Sequence, residues 1–303
     1  MKSAVVGFGS IGARHARILG ELGHEVAVVS KRPVTAVTKY QSIGEVIREF
    51  RPDYVVVANE TAAHFGALKE LADARYRGIV LVEKPIFHAC LNAPAHRFSA
   101  LFVGYNLRFH PLVERFRQIA ANERVVSASV YVGQNLRTWR ERDYRQGYSA
   151  SQGRGGGVLL DLSHEIDYLL WVLGGWKALV ASGGRLSDLE ITSDDAYALI
   201  LNTGRCGLVS LTMNYLHTPG KRTISLVSSR STYELDLLGG SIAVDGKTEN
   251  VTVERDQTYR EQHQAILGGK REKLCTADEA LEVLRVIDAA ERSAREGKWV
   301  SKI

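Results

Sequence analysis

A glycine-rich segment constrains the fold of this chain more than any other feature. It follows a short apolar run, Ala4–Val6, and opens a stretch with helical spacing, Ile11–Leu22. Its six residues, in a G-x-G-x-x-G pattern, are Gly7, Phe8, Gly9, Ser10, Ile11 and Gly12. Between a strand and a helix, the first glycine allows a tight turn, the second lets the backbone approach a pyrophosphate, and the third allows close packing. A diphosphate at the helix N-terminus meets free N–H groups and the positive end of the helix dipole. The segment therefore predicts a dinucleotide-binding unit, and the alternative is a glycine-rich structural turn.

Short apolar runs alternate with helical patterns over the first hundred residues. The predicted strands are Ala4–Val6, Glu25–Val29, Tyr54–Ala58, Ile79–Val82 and Ala100–Gly104. The predicted helices are Ile11–Leu22, Ser42–Phe50, with Ser42 as its N-cap, and Ala62–Ala72. Near-continuous apolar runs are typical of a parallel sheet covered on both faces, and the alternation with helices predicts a doubly wound α/β domain. Where one more crossover helix would be expected, Ile86–Ser99 has poor periodicity, and we predict a loop there.

The pattern changes after Gly104. Helical segments at Pro111–Ala121 and Ser163–Leu173 are interspersed with longer alternating stretches, which predict a mainly antiparallel sheet. These stretches are Val125–Val132, Ala196–Leu201, Leu208–Tyr215, Thr223–Val227 and Thr232–Leu237, and further helical patterns begin at Gln257 and span Ala277–Arg295. We therefore expect an N-terminal Rossmann domain, residues 1–104, followed by an α+β domain, residues 105–303.

Composition excludes several classes of function. The chain has 303 residues and a net charge of +5, with 39 basic and 34 acidic side chains spread along it. Because the basic residues form no long run, an anionic small ligand explains the excess as well as nucleic acid does, and we expect no nucleic-acid partner. No apolar stretch approaches the roughly 20 residues of a membrane helix, and no secretory signal is visible. The three cysteines have no metal-ligand spacing, so we expect no metal and a soluble, cytoplasmic protein.

The end of the second predicted strand indicates which dinucleotide binds. NAD sites place an acidic residue there to hold the ribose 2′-hydroxyl. This chain instead has Ser30, Lys31 and Arg32. A hydroxyl followed by two cations suits a 2′-phosphate through charge-assisted hydrogen bonds, which favours NADP over NAD. The alternative is a solvated basic turn.

The ends of the next strands supply further candidates for cofactor contacts and chemistry. Asn59, Thr61 and His64 follow the third predicted strand, and we place them against the ribose or the nicotinamide amide. The fourth strand ends in Glu83 and Lys84. Because ligands bind beyond the carboxyl ends of the strands, we expect both at the nicotinamide end of the site, where Lys84 could stabilise a developing alkoxide. Judged alone, Lys84 could equally be an exposed lysine at a strand end.

A second constellation follows the glycine triplet Gly155–Gly157. The helix predicted there is apolar almost all round, and its polar residues Asp161, His164 and Asp167 recur at steps of three. Such positions lie close together on one helix face, so a carboxylate could orient His164 as a general acid and base. Alternatively, Asp161 caps the helix and Asp167 complements its dipole.

Four motifs in this order resemble the Gfo/Idh/MocA oxidoreductases (glucose-fructose oxidoreductase and inositol dehydrogenase type). They are GFGSIGARHA, EKP, GYNLRFHP and GGGVLLDLSHEID. The resemblance implies a Rossmann domain and a sheet domain that binds substrate and whose open face forms a homo-oligomer interface. It also implies NAD(P)-dependent oxidation or reduction of a sugar-like hydroxyl or ketone. By the resemblance, Lys84 and His164 fall on the catalytic lysine and histidine. Asp161 lies nearest the catalytic aspartate, but three rather than four residues before the histidine.

The segment between Gln134 and Arg154 adds features of a subgroup associated with surface-polysaccharide and sugar-nucleotide pathways. Five arginines are interleaved with aromatic residues there, which suits an acidic or nucleotide-linked sugar, although a solvated arginine-rich loop is the alternative. Arg108 could instead form an interdomain salt bridge. The predicted substrate contacts are Tyr105, Asn106, Arg108, Trp139, Arg140, Tyr148, Asp161 and His164.

Three functions from different classes are compatible with these residues. The leading one is an NADP-linked dehydrogenase or reductase acting on a carbohydrate derivative. The second is a glycoside hydrolase that oxidises its sugar transiently with NAD, and the third is a dinucleotide sensor without catalysis. The presence of both Lys84 and His164 argues against the sensor.

Overall fold

The computed structural model describes residues 1–34, 37–139, 141 and 143–302. The chain forms two compact units: Met1–Asn106 joined by Thr258–Leu281, and Leu107–Gln257 joined by Glu282–Ile303. The first boundary lies two residues after the one that we predicted. The return of the later segment to the first unit was not predicted. None of the described helices has the length and apolar character needed to cross a lipid bilayer.

The first unit is built on a mainly parallel sheet. Its strands are Lys2–Val6 (β1), Glu25–Val29 (β2), Thr38–Tyr40 (β3), Tyr54–Val57 (β4), Ile79–Val82 (β5), Ala100–Val103 (β6) and Cys275–Thr276 (β15), in the order β15-β6-β5-β4-β1-β2-β3. Its helices are Ser10–Glu21 (α1), Ile43–Glu49 (α2), His64–Asp73 (α3) and most of Gln257–Leu267 (α7). The doubly wound α/β class is confirmed, since the neighbouring strands β1 to β6 are all paired in parallel.

Burial explains why the strands of the first unit have apolar sequences. All four residues of β4 and three of the four in β5 are buried, as expected for a sheet covered on both faces. Ser42 caps α2 by accepting a hydrogen bond from the backbone N–H of Glu45. Residues 86–99 contain no helix or strand, in agreement with the predicted loop. The short strands β3 and β15 were missed because neither has an apolar run.

The second unit contains a nine-stranded sheet, mostly antiparallel. Its strands are Val125–Gly133 (β7), Trp176–Gly184 (β8), Ala196–Thr203 (β9), Val209–Asn214 (β10), Lys221–Ser228 (β11), Thr232–Asp236 (β12), Ser241–Val244 (β13), Lys247–Asn250 (β14) and Val300–Ser301 (β16), in the order β14-β13-β12-β11-β7-β10-β9-β8-β16. Its helices are Pro111–Asn122 (α4), Val158–Asp161 (α5), His164–Leu173 (α6) and the larger part of Ala277–Glu296 (α8). The pair β7–β10 is parallel, and the predicted α+β class is confirmed.

The two faces of this sheet differ in polarity. Val130, Leu199 and Leu211 lie on one face and are at most 1% exposed. On the other face, Ser210 lies opposite Ser129 of β7 and opposite Ile200 of β9. We call this second side of the sheet the open face. Its described residues include Ser127, Ser129, Ile200, Ser210, Ser225 and Val227.

The helix that was expected to carry Asp161, His164 and Asp167 is interrupted. Asp161 is the last residue of α5, and His164 is the first residue of α6. Leu162 and Ser163 separate the two helices. The three polar side chains therefore do not share one continuous helix, and the orienting role that we predicted for the acidic residues stays a prediction.

Candidate active site

The glycine loop of the first unit has the conformation that a dinucleotide site requires. Gly7 has a positive φ of 94°, and a Cβ atom on it would lie 2.6 Å from the backbone nitrogen of Asn59. A Cβ on Gly12 would lie 2.0 Å from the carbonyl oxygen of Gly7, so only glycine lets α1 pack this closely on the turn. Two of the three glycines are thus required by the polypeptide itself.

Gly9 has different surroundings, and they fit a diphosphate. A Cβ on Gly9 would meet no atom of the described chain within 4 Å. Gly9 is also the N-cap of α1, where no side chain caps the helix, and the first turn carries no acidic residue. The first N–H groups of a helix have no intrahelical partner, and they attract negative charge. The space beside Gly9 therefore suits an anion held by backbone N–H groups.

Asn59 provides a further observation at this loop. Its backbone approaches Gly7, and its Oδ1 atom is buried with no hydrogen-bond partner among the described residues. Its Nδ2 atom makes one long contact of 3.5 Å to the carbonyl of Ala63. Unpaired buried acceptors are rare in folded proteins. A ligand hydroxyl or amide N–H would satisfy this oxygen, so the residues present fit a dinucleotide.

Ser30, Lys31 and Arg32 follow β2 directly. The hydroxyl of Ser30 accepts a 3.0 Å hydrogen bond from the backbone N–H of Arg32, which turns the chain after the strand. Ser30 itself is buried, whereas Lys31 and Arg32 are exposed. The tight turn brings two cations together at the carboxyl end of β2, the end at which α/β sheets bind ligands.

His64 holds two loops of the first unit together. Its Nδ1 atom lies 3.0 Å from the carbonyl oxygen of Pro85, and its Nε2 atom lies 3.2 Å from that of Asn59. Burial lowers the pKa of His64, although the surrounding carbonyl groups oppose the shift. The ring is 1% exposed and is engaged with backbone on both sides, as is expected of a support for these loops. Thr61, in the same segment, is also buried.

Glu83 and Lys84 follow β5. Glu83 is buried and accepts hydrogen bonds from the backbone N–H of Lys84, at 3.0 Å, and from the Nε2 atom of His15, at 2.8 Å. Burial alone would raise the pKa of Glu83, but the hydrogen bond from His15 and the positive charge of Lys84 hold it below its ordinary value. Lys84 is half-buried. The structure thus presents a lysine at the end of a central strand, next to an ionised carboxylate.

Three of the predicted substrate residues converge in the second unit. Tyr215, directly after β10, donates a 2.6 Å hydrogen bond to Oδ2 of Asp161. The indole ring of Trp139 lies 5.9 Å from the ring of Tyr215, centroid to centroid. Burial and the charges of Asp161 and Asp194, with a smaller effect of Tyr148, raise the pKa of Tyr215 well above its ordinary value, so Tyr215 keeps its proton and donates a hydrogen bond to Asp161. Asp161 and Trp139 therefore contact one tyrosine that sequence patterns did not single out, and Tyr148 is close enough to affect its pKa.

Asp194 is a second unpredicted acidic residue in this region. Its Oδ2 atom accepts a 3.1 Å hydrogen bond from the backbone N–H of Leu159, at the start of α5. Gly157 allows this approach, because a Cβ there would lie 2.1 Å from Oδ1 of Asp194. Burial, aided by the charge of Asp161, raises the pKa of Asp194 to about 6. The carboxyl group therefore titrates close to neutral pH.

Arg108 and Asp167 form an ion pair in the core of the second unit. The guanidinium makes three hydrogen bonds to the carboxylate, of 2.7 to 3.2 Å, and both side chains are 2% exposed. The pair lies within one unit, whereas the alternative that we had left open was a salt bridge between domains. Such a buried guanidinium is a structural group, and this geometry does not present Arg108 to a small molecule. Asp167 likewise has a strong partner other than His164.

The remaining predicted substrate residues differ in burial and in hydrogen-bond partners. Tyr105 is fully buried, and the Nδ2 atom of Asn106 donates a 2.7 Å hydrogen bond to Oγ1 of Thr258 in the first unit. His164, at the start of α6, is half-buried. Arg140 lies outside the described residues.

One sequence feature that we did not use for the site prediction is the position of His15. His15 follows Gly12 by three positions and precedes Leu19 by four, which places it on the buried face of α1. A buried imidazole needs polar partners, so this spacing alone pointed to a hydrogen-bonded network. By contrast, no local pattern marks Tyr215, whose partner Asp161 is 54 positions away.

Comparison with known proteins gives a clear result for the second half of the chain. A family model described as an oxidoreductase family, C-terminal alpha/beta domain, matches residues 128–301, which is more than half of the chain. The model is that of the Gfo/Idh/MocA oxidoreductases. No curated protein matches the chain significantly by sequence.

Solved structures are similar over the whole length. GenD2 from gentamicin A biosynthesis, in complex with NAD, has a TM-score of 0.83 at 22% identity, covering 100% of this chain and 96% of GenD2. The WlbA dehydrogenase from Bordetella pertussis, in complex with NADH and UDP-GlcNAcA, has a TM-score of 0.82 at 18% identity, with 100% and 98% covered. Levoglucosan dehydrogenase, in complex with NADH and L-sorbose, has a TM-score of 0.82 at 13% identity, with 99% and 98% covered. At these identities the likeness shows a shared fold.

Proposed function

This chain belongs to the Gfo/Idh/MocA oxidoreductase family, and on that premise we propose that it is an NADP-dependent dehydrogenase or reductase of a sugar or sugar-nucleotide derivative. The observation that carries the proposal is the glycine loop. Its first and third glycines are required by close contacts within the chain, whereas Gly9 faces space that the chain leaves open. An uncapped helix N-terminus beside that space is suited to a diphosphate.

The preference for NADP rests on the turn after β2. The exposed Lys31 and Arg32 supply two positive charges and no acidic side chain accompanies them in Ser30–Arg32, so a 2′-phosphate is favoured over a 2′-hydroxyl. The similar structures described above hold NAD or NADH, so they support a nicotinamide cofactor without supporting this preference. Gly7 to Gly12 would hold the diphosphate, and Asn59 would hold a donor group of the cofactor.

Lys84 and His164 carry the proposed chemistry. A bound nicotinamide supplies or accepts the hydride at its C4 carbon. Lys84 donates a hydrogen bond to the reacting oxygen of the sugar and stabilises the negative charge that develops on it. His164 exchanges the hydroxyl proton as general acid and base. Asp161 is bound to Tyr215, so we assign it a role in substrate binding and give it no direct proton transfer.

The substrate class follows from the segment between Gln134 and Arg154 together with Tyr215. Trp139 and Tyr148 lie near Tyr215 and provide aromatic surfaces for a sugar or base ring. Arginines of the same segment can pair with phosphate or carboxylate groups. WlbA binds UDP-GlcNAcA, an acidic nucleotide sugar, which supports the same class for this chain.

We further propose that the protein is a homo-oligomer that associates through the open face. Ile200 is 43% exposed and Val227 is 42% exposed, and both stand among small serine side chains. Small residues on a sheet face allow a second sheet to approach closely. A dimer or tetramer formed in this way would cover the two apolar side chains.

Titration with NADPH and NADH, followed by nucleotide fluorescence, tests the cofactor part of the proposal. We expect NADPH to bind more tightly, after which a panel of uronic acids and nucleotide sugars is screened for absorbance changes at 340 nm. Tighter binding of NADH would overturn the NADP assignment. Binding of neither nucleotide, in protein shown to be free of retained cofactor, would overturn the proposed function.

A further inference from the structure

Four buried polar side chains form a hydrogen-bonded chain inside the first unit. Nε2 of His15 lies 2.8 Å from Oε1 of Glu83, Nδ1 of His15 lies 2.9 Å from Nε2 of His263, and Nδ1 of His263 lies 3.0 Å from the hydroxyl of Tyr54. These residues come from α1, the end of β5, α7 and β4. His15, His263 and Tyr54 are fully buried. These hydrogen bonds thus connect Glu83, the residue before Lys84, to His263 in the segment Thr258–Leu281, which returns to the first unit.

The direction of these hydrogen bonds follows from the buried hydroxyl at one end. Burial raises the pKa of Tyr54 well above its ordinary value, so the phenol keeps its proton. Among the described residues, His263 is its one hydrogen-bond partner, so Tyr54 donates to Nδ1 of His263. Burial lowers the pKa of His263 well below its ordinary value, so the neutral ring carries its single proton on Nε2.

The same reasoning fixes the remaining bonds. Because His263 donates from Nε2, Nδ1 of His15 must accept, and the proton of His15 lies on Nε2. His15 therefore donates to Glu83, which accepts as a carboxylate. Two other orders are conceivable: a charged His15 that donates from both of its nitrogens, or a protonated Glu83 with every bond reversed. In both orders His263 would donate from Nδ1 to the oxygen of Tyr54, and the buried hydroxyl proton of Tyr54 would lack an acceptor. The cost of an unsatisfied buried donor favours the first order.

Glu83 connects this series of hydrogen bonds to Lys84. Its Oε2 atom accepts the backbone N–H of Lys84, and its Oε1 atom is bound by His15. Gly104 leaves room for the carboxylate, because a Cβ there would lie 3.1 Å from Cδ and Oε1 of Glu83. Both carboxylate oxygens are therefore held by protein groups, in a position adjacent to a lysine.

We propose that Tyr54, His263 and His15 form a positioning relay that keeps Glu83 ionised and fixed, so that Lys84 stays protonated and its backbone stays in place. None of the relay residues is assigned contact with substrate. The inference rests on the proposed function in that Lys84 acts on the substrate oxygen. It assigns roles to His15, Glu83 and His263 beyond the cofactor contact predicted for Glu83.

The charges of Glu83 and Lys84 act on each other, since Lys84 lowers the pKa of Glu83. Several titratable or charged groups face Glu83 or the relay. They are His15 from α1, His24 before β2, Tyr54 from β4, His64 from α3, Tyr76 after α3, Lys84, and Tyr259 and His263 from α7. Among them, Glu83 is the one carboxylate. Removal of the Glu83 charge is therefore expected to let Lys84 lose its proton at lower pH, by about one pH unit.

The first test follows Lys84 itself in the absence of substrate. Lysines are labelled by reductive ¹³C-methylation, Lys84 is assigned with the Lys84→Arg variant, and its NMR signal is titrated in the wild type and in Glu83→Gln. We expect the midpoint to fall by about one pH unit in Glu83→Gln. An unchanged midpoint would overturn the proposal. Because no turnover is measured, this result does not depend on whether a substrate has been found.

The second test addresses the two histidines and the far end of the relay. ¹⁵N spectra of histidine-labelled protein are expected to show His15 and His263 neutral at pH 7 and protonated on Nε2, and a charged His15 would contradict the relay order. Tyr54→Phe removes one hydroxyl 3.0 Å from His263. Tyr76→Phe, the control, removes a part-buried hydroxyl of the same unit that bonds to the backbone carbonyl of Ile79. We expect Tyr54→Phe to shift the Lys84 midpoint in the same direction as Glu83→Gln, and by less. An equal shift in Tyr76→Phe would show a general effect of lost stability and overturn the assignment.

Discussion

At the residue scale, the three glycines of the nucleotide loop have different reasons to be glycine. Gly12 is required because a Cβ would meet the carbonyl of Gly7 at 2.0 Å, and Gly7 combines a positive φ with the close approach of Asn59. Gly9 has neither constraint. Its conformation, with φ of −81°, is open to any residue, and the space around it is free of described atoms. Contacts within the described chain therefore do not require glycine at this position, and the proposed diphosphate provides a reason for it.

Alanine substitutions separate these two reasons. We expect Gly9→Ala to fold with a melting temperature lowered by a few degrees at most, since alanine is a poorer N-cap than glycine, while its affinity for NADPH falls by about tenfold or more. Gly12→Ala is expected to lower the melting temperature strongly, because backbone must move. Differential scanning fluorimetry and nucleotide titration measure both properties. Full NADPH affinity in a folded Gly9→Ala protein would contradict the phosphate assignment.

The turn after β2 allows a prediction about cofactor choice. Replacement of Lys31 and Arg32 by alanine should weaken NADPH binding by about tenfold, because two charge-assisted contacts to a 2′-phosphate are lost. The affinity for NADH should change by less than about twofold. Arg48→Ala, which removes an exposed arginine paired with Glu49 on the same unit, serves as the control. Equal losses for both nucleotides would contradict the assignment.

Lys84 and His164 can be tested through kinetics. Lys84→Ala and His164→Ala should each lower kcat by about a hundredfold or more, since general acid–base and oxyanion interactions contribute that much. The dissociation constant of NADPH should change little. Steady-state rates and nucleotide titrations on the same preparations give both numbers. If both variants retained full activity, these residues would have no part in the chemistry.

At the scale of elements, the junction of α5 and α6 shows where sequence periodicity is insufficient. The apolar pattern predicted one helix through Asp161, His164 and Asp167, whereas the chain breaks at Leu162 and Ser163. The break lets Asp161 meet Tyr215, while Asp167 pairs with Arg108. Both partners lie more than 50 positions away in sequence. Local spacing could identify the polar residues, but not the distant groups to which they are bound.

Asp194, which accepts a hydrogen bond from the start of α5, gives a prediction about pH and stability. Burial raises the pKa of Asp194 to about 6, so the folded chain binds this proton at higher pH than the unfolded chain does. The stability that the neutral carboxyl contributes is present below about pH 4 and is lost as the pH rises to about 6. Asp194→Asn keeps an acceptor for Leu159 without the charge. The stability of this variant relative to the wild type should therefore increase by about 2 kcal/mol between pH 4 and pH 7.5.

Urea unfolding at several pH values measures this difference. Asp188→Asn is the control, because Asp188 has a side chain that is 86% exposed. The control should show no comparable increase with pH. A stability difference between Asp194→Asn and the wild type that stayed constant over the range would contradict the raised pKa.

At the scale of the whole molecule, sequence patterns predicted both fold classes and the order of the two domains. They located the glycine loop, the turn after β2 and the end of β5, because each motif is local to one strand end. They missed the return of Thr258–Leu281 to the first unit, with β15 and His263. The sequence of that segment predicts helices, but its local pattern does not indicate which unit it joins. Contacts between residues 248 positions apart, such as His15 with His263, depend on the complete fold.

The open face gives a prediction about assembly. Wild-type protein should elute as a dimer or tetramer in size-exclusion chromatography with light scattering. Ile200→Glu should shift it toward the monomer, because a charge on the centre of an apolar contact is costly to bury. Leu186→Glu, at a residue that is 70% exposed and outside the sheet strands, is the control. A monomeric wild type would contradict association through this sheet.

The central claim is that the protein moves a hydride between nicotinamide and a sugar carbon. Transfer of deuterium tests it most directly: NADPH deuterated at C4 on either face is incubated with candidate keto-sugars and keto nucleotide sugars, and the products are analysed by mass spectrometry. The account predicts incorporation of one deuterium into a sugar product from one of the two labelled cofactors, with little incorporation in Lys84→Ala. A protein that binds NADPH but transfers no deuterium to any member of the panel, and that forms no NADPH from the corresponding alcohols, would contradict it.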